Sequence, residues 1–210
     1  MALAVSPCQP VRSIAKFDAQ TDMMNWIRER KQRRELAARL LEVVIDQARR
    51  PAFYAAYGVP DTMLGRYEMV CLHAYVLLRR LKRIGGQGPR IAQTLHDQIF
   101  DDFDVALREA GLGDMGIGKR MEKLARNLHG RISAYERGLA AGDEEMAAAL
   151  RRNLYASAEP SDAEVAAMIA YVRRARAEVD ACTPETLWEA RSVFPDPEPG
   201  SGNVPQEGAA

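Results

Sequence analysis

The stretch GLGDMGIGKR, which begins at Gly111, matches two sequence patterns of phosphate-binding loops. Gly111, Gly113 and Gly116 fit the dinucleotide-binding pattern G-x-G-x-x-G. Gly113, Gly118 and Lys119 fit most of the Walker A pattern G-x-x-x-x-G-K. In both patterns, backbone N–H groups at the start of a helix bind phosphate oxygens. By itself, this stretch therefore predicts nucleotide binding.

The surroundings of this stretch argue against a nucleotide. Both patterns require a β-strand ahead of the loop, whereas the preceding segment, HDQIFDDFDVALREA, has helical spacing. Arg120 also occupies the position where a Walker A loop has the Ser or Thr that contacts magnesium. We predict that the stretch joins two helices, that Gly111 adopts a left-handed C-cap conformation, and that no nucleotide binds here.

Three aspartates could bind a metal ion. Asp97, Asp101 and Asp104 lie at i, i+4 and i+7, which places their carboxylates on one face of a predicted helix. Similar stripes hold magnesium diphosphate in all-helical isoprenoid synthases, so a metal-dependent helical-bundle enzyme is the alternative function. Such an enzyme needs a second carboxylate cluster on a facing helix. The only other acidic run begins at Asp143, where it is typical of the first turn of a helix.

The helix ahead of the aspartates carries basic residues that could pair with them. Arg66, His73 and Arg80 recur every seven residues, which places them along one side of that helix. The linker between the two helices is short, so we expect antiparallel packing, with Arg80 near the first aspartate and His73 near the second or third. These spacings predict a polar seam between the helices and no metal site.

The remaining histidines and the cysteines indicate no catalytic site. His96 and His129 lie on or beside apolar helix faces, so we expect structural roles with satisfied hydrogen bonds. Cys8, Cys71 and Cys182 are far apart and form no C-x-x-C pair, which argues against a disulfide framework and against zinc. We therefore predict no catalytic residue and no cofactor.

The overall charge is balanced, but its distribution is uneven. The 210 residues contain 29 basic and 29 acidic side chains, which argues against general nucleic-acid binding. In the segment WIRERKQRRELAAR, however, six basic residues follow Trp26 and Ile27. A basic helix with an aromatic residue at its start can lie on anionic lipid or contact ribosomal RNA. Arg28, Arg30 and Lys31 are the candidate contact residues.

Helical periodicity runs through most of the chain, and no alternating strand pattern is present. The predicted helices run from Asp22 to about Arg50, from Asp61 or Thr62 to Ile84, from Pro89 to Ala110, from about Gly116 to Ala141, from Asp143 to Tyr155, from Asp162 to Ala181 and from Pro184 to Arg191. The segment PAFYAAYG is predicted as a turn. We expect an all-α, single-domain helical bundle of six to seven helices, formed by residues 23–194.

Both ends of the chain are predicted to be disordered. Residues 195–210 are rich in Pro, Gly and polar side chains. Residues 1–22 have no core periodicity, and Met23 and Met24 directly precede the first helical pattern. We therefore expect that residues 1–22 form an N-terminal extension and that translation can begin at one of these two methionines.

Two long strings resemble the ubiquinol-cytochrome c chaperone family. They are ARRPAFYAAYGVPDTMLGRYEMVCLHAYVLLRRL and LHDQIFDDFDVALREAGLGDMGIGKRMEKLARNLHGRISAYE, and the resemblance spans about Ala48 to Glu136. The family pattern has Phe-Tyr where this chain has Leu128-His129, and Phe-Asp where it has Tyr67-Glu68. These departures preserve size or charge.

The resemblance implies an all-helical, non-enzymatic assembly chaperone that binds newly made cytochrome b and supports the biogenesis of respiratory complex III. It also implies work near the ribosomal tunnel exit. We expect an alphaproteobacterial type of the family, cytoplasmic and peripheral at the inner face of the inner membrane. Candidate partner-binding residues are Lys119, Arg120, Lys123, Asp97, Asp101, Asp104, Arg28, Arg30 and Lys31.

Overall fold

The computed structural model describes residues 19–109, 114–191 and 193–197, with side chains from residue 23 onward except those of residues 104 and 106–127. Eight helices are described: α1 (Ala19–Ala48), α2 (Pro51–Ala56), α3 (Met63–Arg83), α4 (Gly88–Glu109), α5 (Asp114–Ala141), α6 (Asp143–Asn153), α7 (Asp162–Ala181) and α8 (Pro184–Trp188). No strand occurs within these residues. The protein is all-α, as the periodicity predicted. The described residues divide into two compact units, with the boundary between Gln32 and Arg33.

The centre of the second unit is α3, which is buried on nearly every side from Tyr67 to Leu78. A helix that is apolar all round is stable only when other helices cover it, and α4, α5 and α7 all contact it. The core residues of these helices, together with those of α1 and α6, form one continuous apolar cluster. Helix α3 therefore lies in the middle of the bundle.

The segment predicted as a turn is a short helix, α2. Pro51 lies at its start, where the fixed φ of proline suits the first helical turn and its missing N–H costs no hydrogen bond. Arg50 ahead of it has ψ 123°, so the chain breaks between α1 and α2. Phe53 is fully buried, which anchors this short helix to the core.

The predicted start of the first helix requires correction, whereas the predicted start at Asp143 is confirmed. The first helix begins at Ala19, so Asp22 lies within its first turn and is not the N-cap. Asp143 is the first residue of α6. The N-cap is Gly142, whose φ of 132° is a value that glycine adopts without steric cost. The carboxylate of Asp143 instead pairs with Arg173 of α7.

Side-chain caps begin two of the long helices. The Thr62 hydroxyl accepts a hydrogen bond from the Gly65 backbone N–H at 3.1 Å, which begins α3 as predicted. Ser161 and Glu164 form a reciprocal capping box at the start of α7. These local signals explain why the boundaries of the long helices could be read closely from the sequence.

Candidate functional site

The glycine-rich stretch lies between two helices. Helix α4 ends at Glu109 and α5 begins at Asp114, so Gly116 and Gly118 are inside α5. The strand that both phosphate-binding patterns need is therefore replaced by a helix. Gly111 and Gly113 lie outside the described residues, so the predicted left-handed cap stays a prediction.

The aspartate stripe does not face the basic residues of α3. Asp97 and Asp101 are exposed on α4, and Asp97 accepts a hydrogen bond from Gln93 Nε2 at 2.8 Å. The side chain of Asp104 is outside the described set. Among the described residues, no group of three or more His, Cys, Asp or Glu side chains could hold a metal ion. The alternative of a metal-dependent enzyme gains no support.

The predicted polar seam between α3 and α4 is wrong. Arg66 Nε lies 2.7 Å from Asp61 Oδ1, in the segment that precedes α3. Arg80 donates to the backbone oxygen of Cys182 at 2.5 Å. These contacts differ from the prediction because α3 is surrounded by helices, and the face that carries His73 and Arg80 is turned toward α7 and its C-terminal end.

His73 belongs to a buried hydrogen-bond network. Its Nδ1 lies 2.8 Å from the Met69 backbone oxygen, which can only accept, so Nδ1 carries the proton. Its Nε2 accepts from the Tyr171 hydroxyl at 2.7 Å. Gln47 Nε2 donates to the Tyr171 hydroxyl at 2.9 Å and to the Pro195 backbone oxygen at 2.7 Å. The network joins α1, α3, α7 and the segment after α8, and burial lowers the pKa of His73 to about 4.

The other two histidines differ from each other. His96 is partly buried, and its ring centroid lies 4.7 Å from that of Phe100 in an edge-on arrangement. Its Nδ1 lies 3.4 Å from Asp97 Oδ1. His129 is exposed on α5, so the expectation of a structural role for it is wrong. A neighbouring apolar residue in the sequence, Leu128, was too weak a signal, because consecutive helix positions point in different directions.

Two ion-pair clusters hold α3 against its neighbours. Glu68, which is almost fully buried, pairs with Arg131 of α5, and burial raises the pKa of the Glu68 carboxyl. Arg79 donates two hydrogen bonds to Asp180 of α7, at 2.7 and 2.8 Å. Breaking a buried ion pair leaves a desolvated charge, so these contacts have a structural role.

The most distinctive surface is a groove of about 460 Å³ between α1, α3 and α4, which we call the apolar groove. Its lining residues are Leu41, Ile45 and Arg49 from α1, Met63, Arg66, Tyr67 and Val70 from α3, and Ile99, Asp102, Phe103 and Val105 from α4. Six of these eleven side chains are aliphatic or aromatic hydrocarbons, Met63 adds an apolar thioether, and Tyr67 adds a phenol ring. The groove lies within the unit formed by residues 33–210.

Large apolar side chains at the edge of the groove are exposed to solvent. Met63 is 62% exposed and Val105 is 53% exposed, and Leu64 beside Met63 is also exposed. Within the groove, the rings of Tyr67 and Phe103 pack edge-on with centroids 4.5 Å apart. Exposed apolar side chains that cluster in this way usually mark a surface that binds a partner, whereas single exposed apolar residues are ordinary.

Charged groups are present at the same groove. Arg66 is paired with Asp61 and lies over the ring of Tyr54 at 5.9 Å from its centroid. Burial, together with the neighbouring Asp101 carboxylate, raises the pKa of Asp102. Arg49 also contributes to the lining. The arrangement can bind an apolar helix or extended segment and orient it through a few polar contacts.

The sequence prediction missed the apolar groove. Its signal was present at the start of α3, where Met63 and Leu64 occupy the first turn directly after the Thr62 cap. Met63, Tyr67 and Val70 then repeat at i, i+4 and i+7. Tyr67 and Val70 are buried in the core, and the sequence gives no indication that Met63 at the start of this stripe is exposed.

The remaining predicted contact residues are placed as follows. Arg28, Arg30 and Lys31 are exposed near the start of α1, and Arg30 lies over the Trp26 ring at 5.6 Å from its centroid. Lys119, Arg120 and Lys123 lie in α5, with side chains outside the described set. Their roles in partner binding stay predictions. None of the described helices has both the length and the apolar content needed to cross a membrane.

Comparison with known proteins identifies relatives of the chain. The family model of the ubiquinol-cytochrome C chaperone matches residues 55–194. Ubiquinol-cytochrome c reductase complex assembly factor 1 of Mus musculus is 22% identical over 151 residues, which cover 72% of this chain and 51% of the mouse protein. Protein CBP3, mitochondrial, of Saccharomyces cerevisiae is 28% identical over 106 residues, which cover 49% of this chain and 32% of the yeast protein.

A solved structure agrees with these matches. The crystal structure of the Cbp3 homolog from Brucella abortus is similar with a TM-score of 0.72 and 37% sequence identity, covering 83% of this chain and 96% of that chain. This chain spans about half the length of the mouse relative. The family model covers more than half of the 210 residues and includes α3 to α8. The chain belongs to the ubiquinol-cytochrome C chaperone family.

Proposed function

We propose that this protein is an assembly chaperone that binds newly made cytochrome b and supports the biogenesis of respiratory complex III. The family and the names of its relatives support the assembly role, since the mouse protein is called an assembly factor of ubiquinol-cytochrome c reductase. Cytochrome b is the proposed client because it is the client that the resemblance implies. The protein acts by binding and carries out no reaction.

The observation that carries this proposal is the apolar groove. A chaperone for a membrane protein must cover an apolar client segment and still remain folded in water. Met63 and Val105 already expose apolar surface at the groove, so client binding removes that surface from water without unfolding the bundle. Arg49 and Asp102 supply polar contacts that orient the client segment.

The proposed location is the cytoplasmic side of a bacterial inner membrane, where cytochrome b is inserted. There the protein is peripheral and works near the ribosomal tunnel exit. Lys119, Arg120 and Lys123, which follow one another within two turns of α5, are proposed to contact the ribosome or the client. Basic residues at this spacing suit an acidic partner surface.

Site-specific photocrosslinking in cells tests the client surface. Met63 and Val105 are each replaced by a photoreactive phenylalanine analogue, and Glu145, exposed on α6 away from the groove, is replaced in a matched control. We expect cytochrome b to crosslink from the two groove positions and not from the control. Equal crosslinking from all three positions, or none from the groove, would contradict the proposed site.

A further inference from the structure

The start of α1, considered by itself, has an unusual exposed surface. Met23, Met24, Trp26 and Ile27 are each between 50% and 66% exposed. Four large apolar residues within five positions are rarely left in water unless another phase or a partner covers them. This surface belongs to the first of the two units, and it shares no residue with the apolar groove.

Helix geometry separates apolar from polar residues here. With 3.6 residues per turn, the four apolar side chains fall within an arc of about 160°. Asn25, Glu29 and Gln32 occupy the opposite side. Arg30 projects near the middle of the apolar arc one turn later, and its guanidinium lies over the Trp26 ring at 5.6 Å from the centroid. The first turn is therefore apolar on one side, and the next turn places the cations of Arg30 and Lys31 on that same side.

The charges near this face select the partner. Between Met23 and Gln32 there are three basic residues, Arg28, Arg30 and Lys31, and one acidic residue. Long basic side chains can place their charged ends beside phosphate groups while their stems lie along apolar surface. Tryptophan prefers the boundary between headgroups and acyl chains. Both features match an anionic lipid surface.

A second copy of the chain fits this face less well. A helical dimer seam needs apolar residues that repeat with a heptad period over three or more heptads. Here the apolar cluster occupies one end, and the positions that continue the seam from Met23 and Trp26 are Arg30 and Arg33. Pairing two copies would place these like charges against each other. The cluster is also too wide for a narrow seam.

We propose that residues 23–31 form a lipid-binding site for anionic bilayers. Met23, Met24, Trp26 and Ile27 enter the headgroup region, and Arg28, Arg30 and Lys31 contact lipid phosphates. The helix lies in the plane of the membrane and does not cross it. This inference depends on the proposed function only for its biological purpose, because a chaperone for a membrane protein benefits from being held at the membrane.

Vesicle binding of the full chain tests the site. The probes are vesicles of phosphatidylcholine alone and vesicles of phosphatidylcholine and phosphatidylglycerol in equal amounts. The variant Trp188→Phe leaves Trp26 as the only tryptophan. We expect its fluorescence to shift to shorter wavelength with the anionic vesicles and to stay unchanged with the neutral ones. Trp26→Ser/Ile27→Ser, measured by vesicle flotation, should lower binding on the order of tenfold or more.

Matched variants test whether vesicle binding depends on this site or on any exposed apolar or basic side chain. Leu64→Ser removes an exposed apolar residue elsewhere, and Arg90→Glu/Arg152→Glu reverses two exposed charges elsewhere. These variants should bind anionic vesicles like the unmodified chain, whereas Arg28→Glu/Arg30→Glu should not bind. No binding by the unmodified chain, equal binding by all variants, or a dimer that is lost in Trp26→Ser/Ile27→Ser would overturn the proposal. The assay contains no client, so its failure leaves the chaperone proposal standing.

Discussion

Acidification should unfold this protein partly through one residue, His73. Its ring is buried between α3 and α7, accepts from the Tyr171 hydroxyl, and packs edge-on against Phe53 and Phe194. Burial lowers its pKa to about 4, below the ordinary value of 6.5, and the hydrogen bond to Met69 offsets only part of that effect. The neutral ring is therefore the form that the native state accommodates.

The sign and size of the effect follow from this difference. The unfolded chain takes up the proton near pH 6.5, whereas the folded chain does so only near pH 4. The contribution of the neutral His73 ring to stability is therefore complete above pH 6.5, and it is lost as the pH falls from 6.5 toward 4. Each pH unit within this window costs about 1.4 kcal/mol. The loss from this residue alone should reach about 2 kcal/mol at pH 5.

Urea unfolding at neutral pH and at pH 5 measures this contribution. Other groups also titrate in this range. The measured quantity is therefore the change in the free energy of unfolding between the two pH values, compared between the unmodified protein and His73→Gln, which lacks the titrating ring. Gln should cost stability at neutral pH, because it leaves part of the ring cavity empty. Between the two pH values, however, His73→Gln should lose about 2 kcal/mol less than the unmodified protein.

Equal losses of unfolding free energy in the two proteins between neutral pH and pH 5 would refute this reasoning. They would mean that the native state holds the charged ring as easily as water does. The predicted difference between the two proteins would support the burial of a neutral His73 ring in the native state.

Three further predictions concern glycines, nucleotides and the aspartate stripe. Gly138→Ala should lower the free energy of unfolding by about 1–3 kcal/mol, because the added Cβ would lie 2.9 Å from Met146 Cα. Gly130→Ala, whose added Cβ would have nothing within 4 Å, should raise it by up to about 1 kcal/mol, and chemical unfolding measures both changes. ATP or NAD with magnesium should leave the melting temperature unchanged, and a saturable rise would contradict the non-nucleotide interpretation. Asp97→Asn/Asp101→Asn should preserve complex III assembly in cells, and loss of assembly with a folded protein would favour the metal-dependent alternative.

The helices could largely be predicted from the sequence, because their determinants are local. The boundaries of α7 follow from the Ser161 cap and the end of the apolar pattern, and they agree with the structure. Helix α2 was missed because six residues are too few for a helical period to be distinguished from a turn. Its proline at the first helical position was the only local indication.

Contacts between helices were harder to predict, because the rotation of each helix decides them. The spacing of Arg66, His73 and Arg80 correctly placed them on one side of α3, but gave no information on which helix that side faces. The apolar groove is formed by residues of three helices, and it also depends on the exposure of Met63 at its edge. No local pattern contains that information.

The most direct test of the central claim is the cytochrome b absorbance of membranes from a strain that lacks this protein, grown under conditions that require complex III. We predict that membrane cytochrome b is lost while its messenger RNA persists and c-type cytochromes matured elsewhere largely remain. The unmodified gene should restore the absorbance, and Met63→Glu/Val105→Glu, folded and equally abundant, should not. Normal cytochrome b absorbance in the deletion strain would contradict the claim.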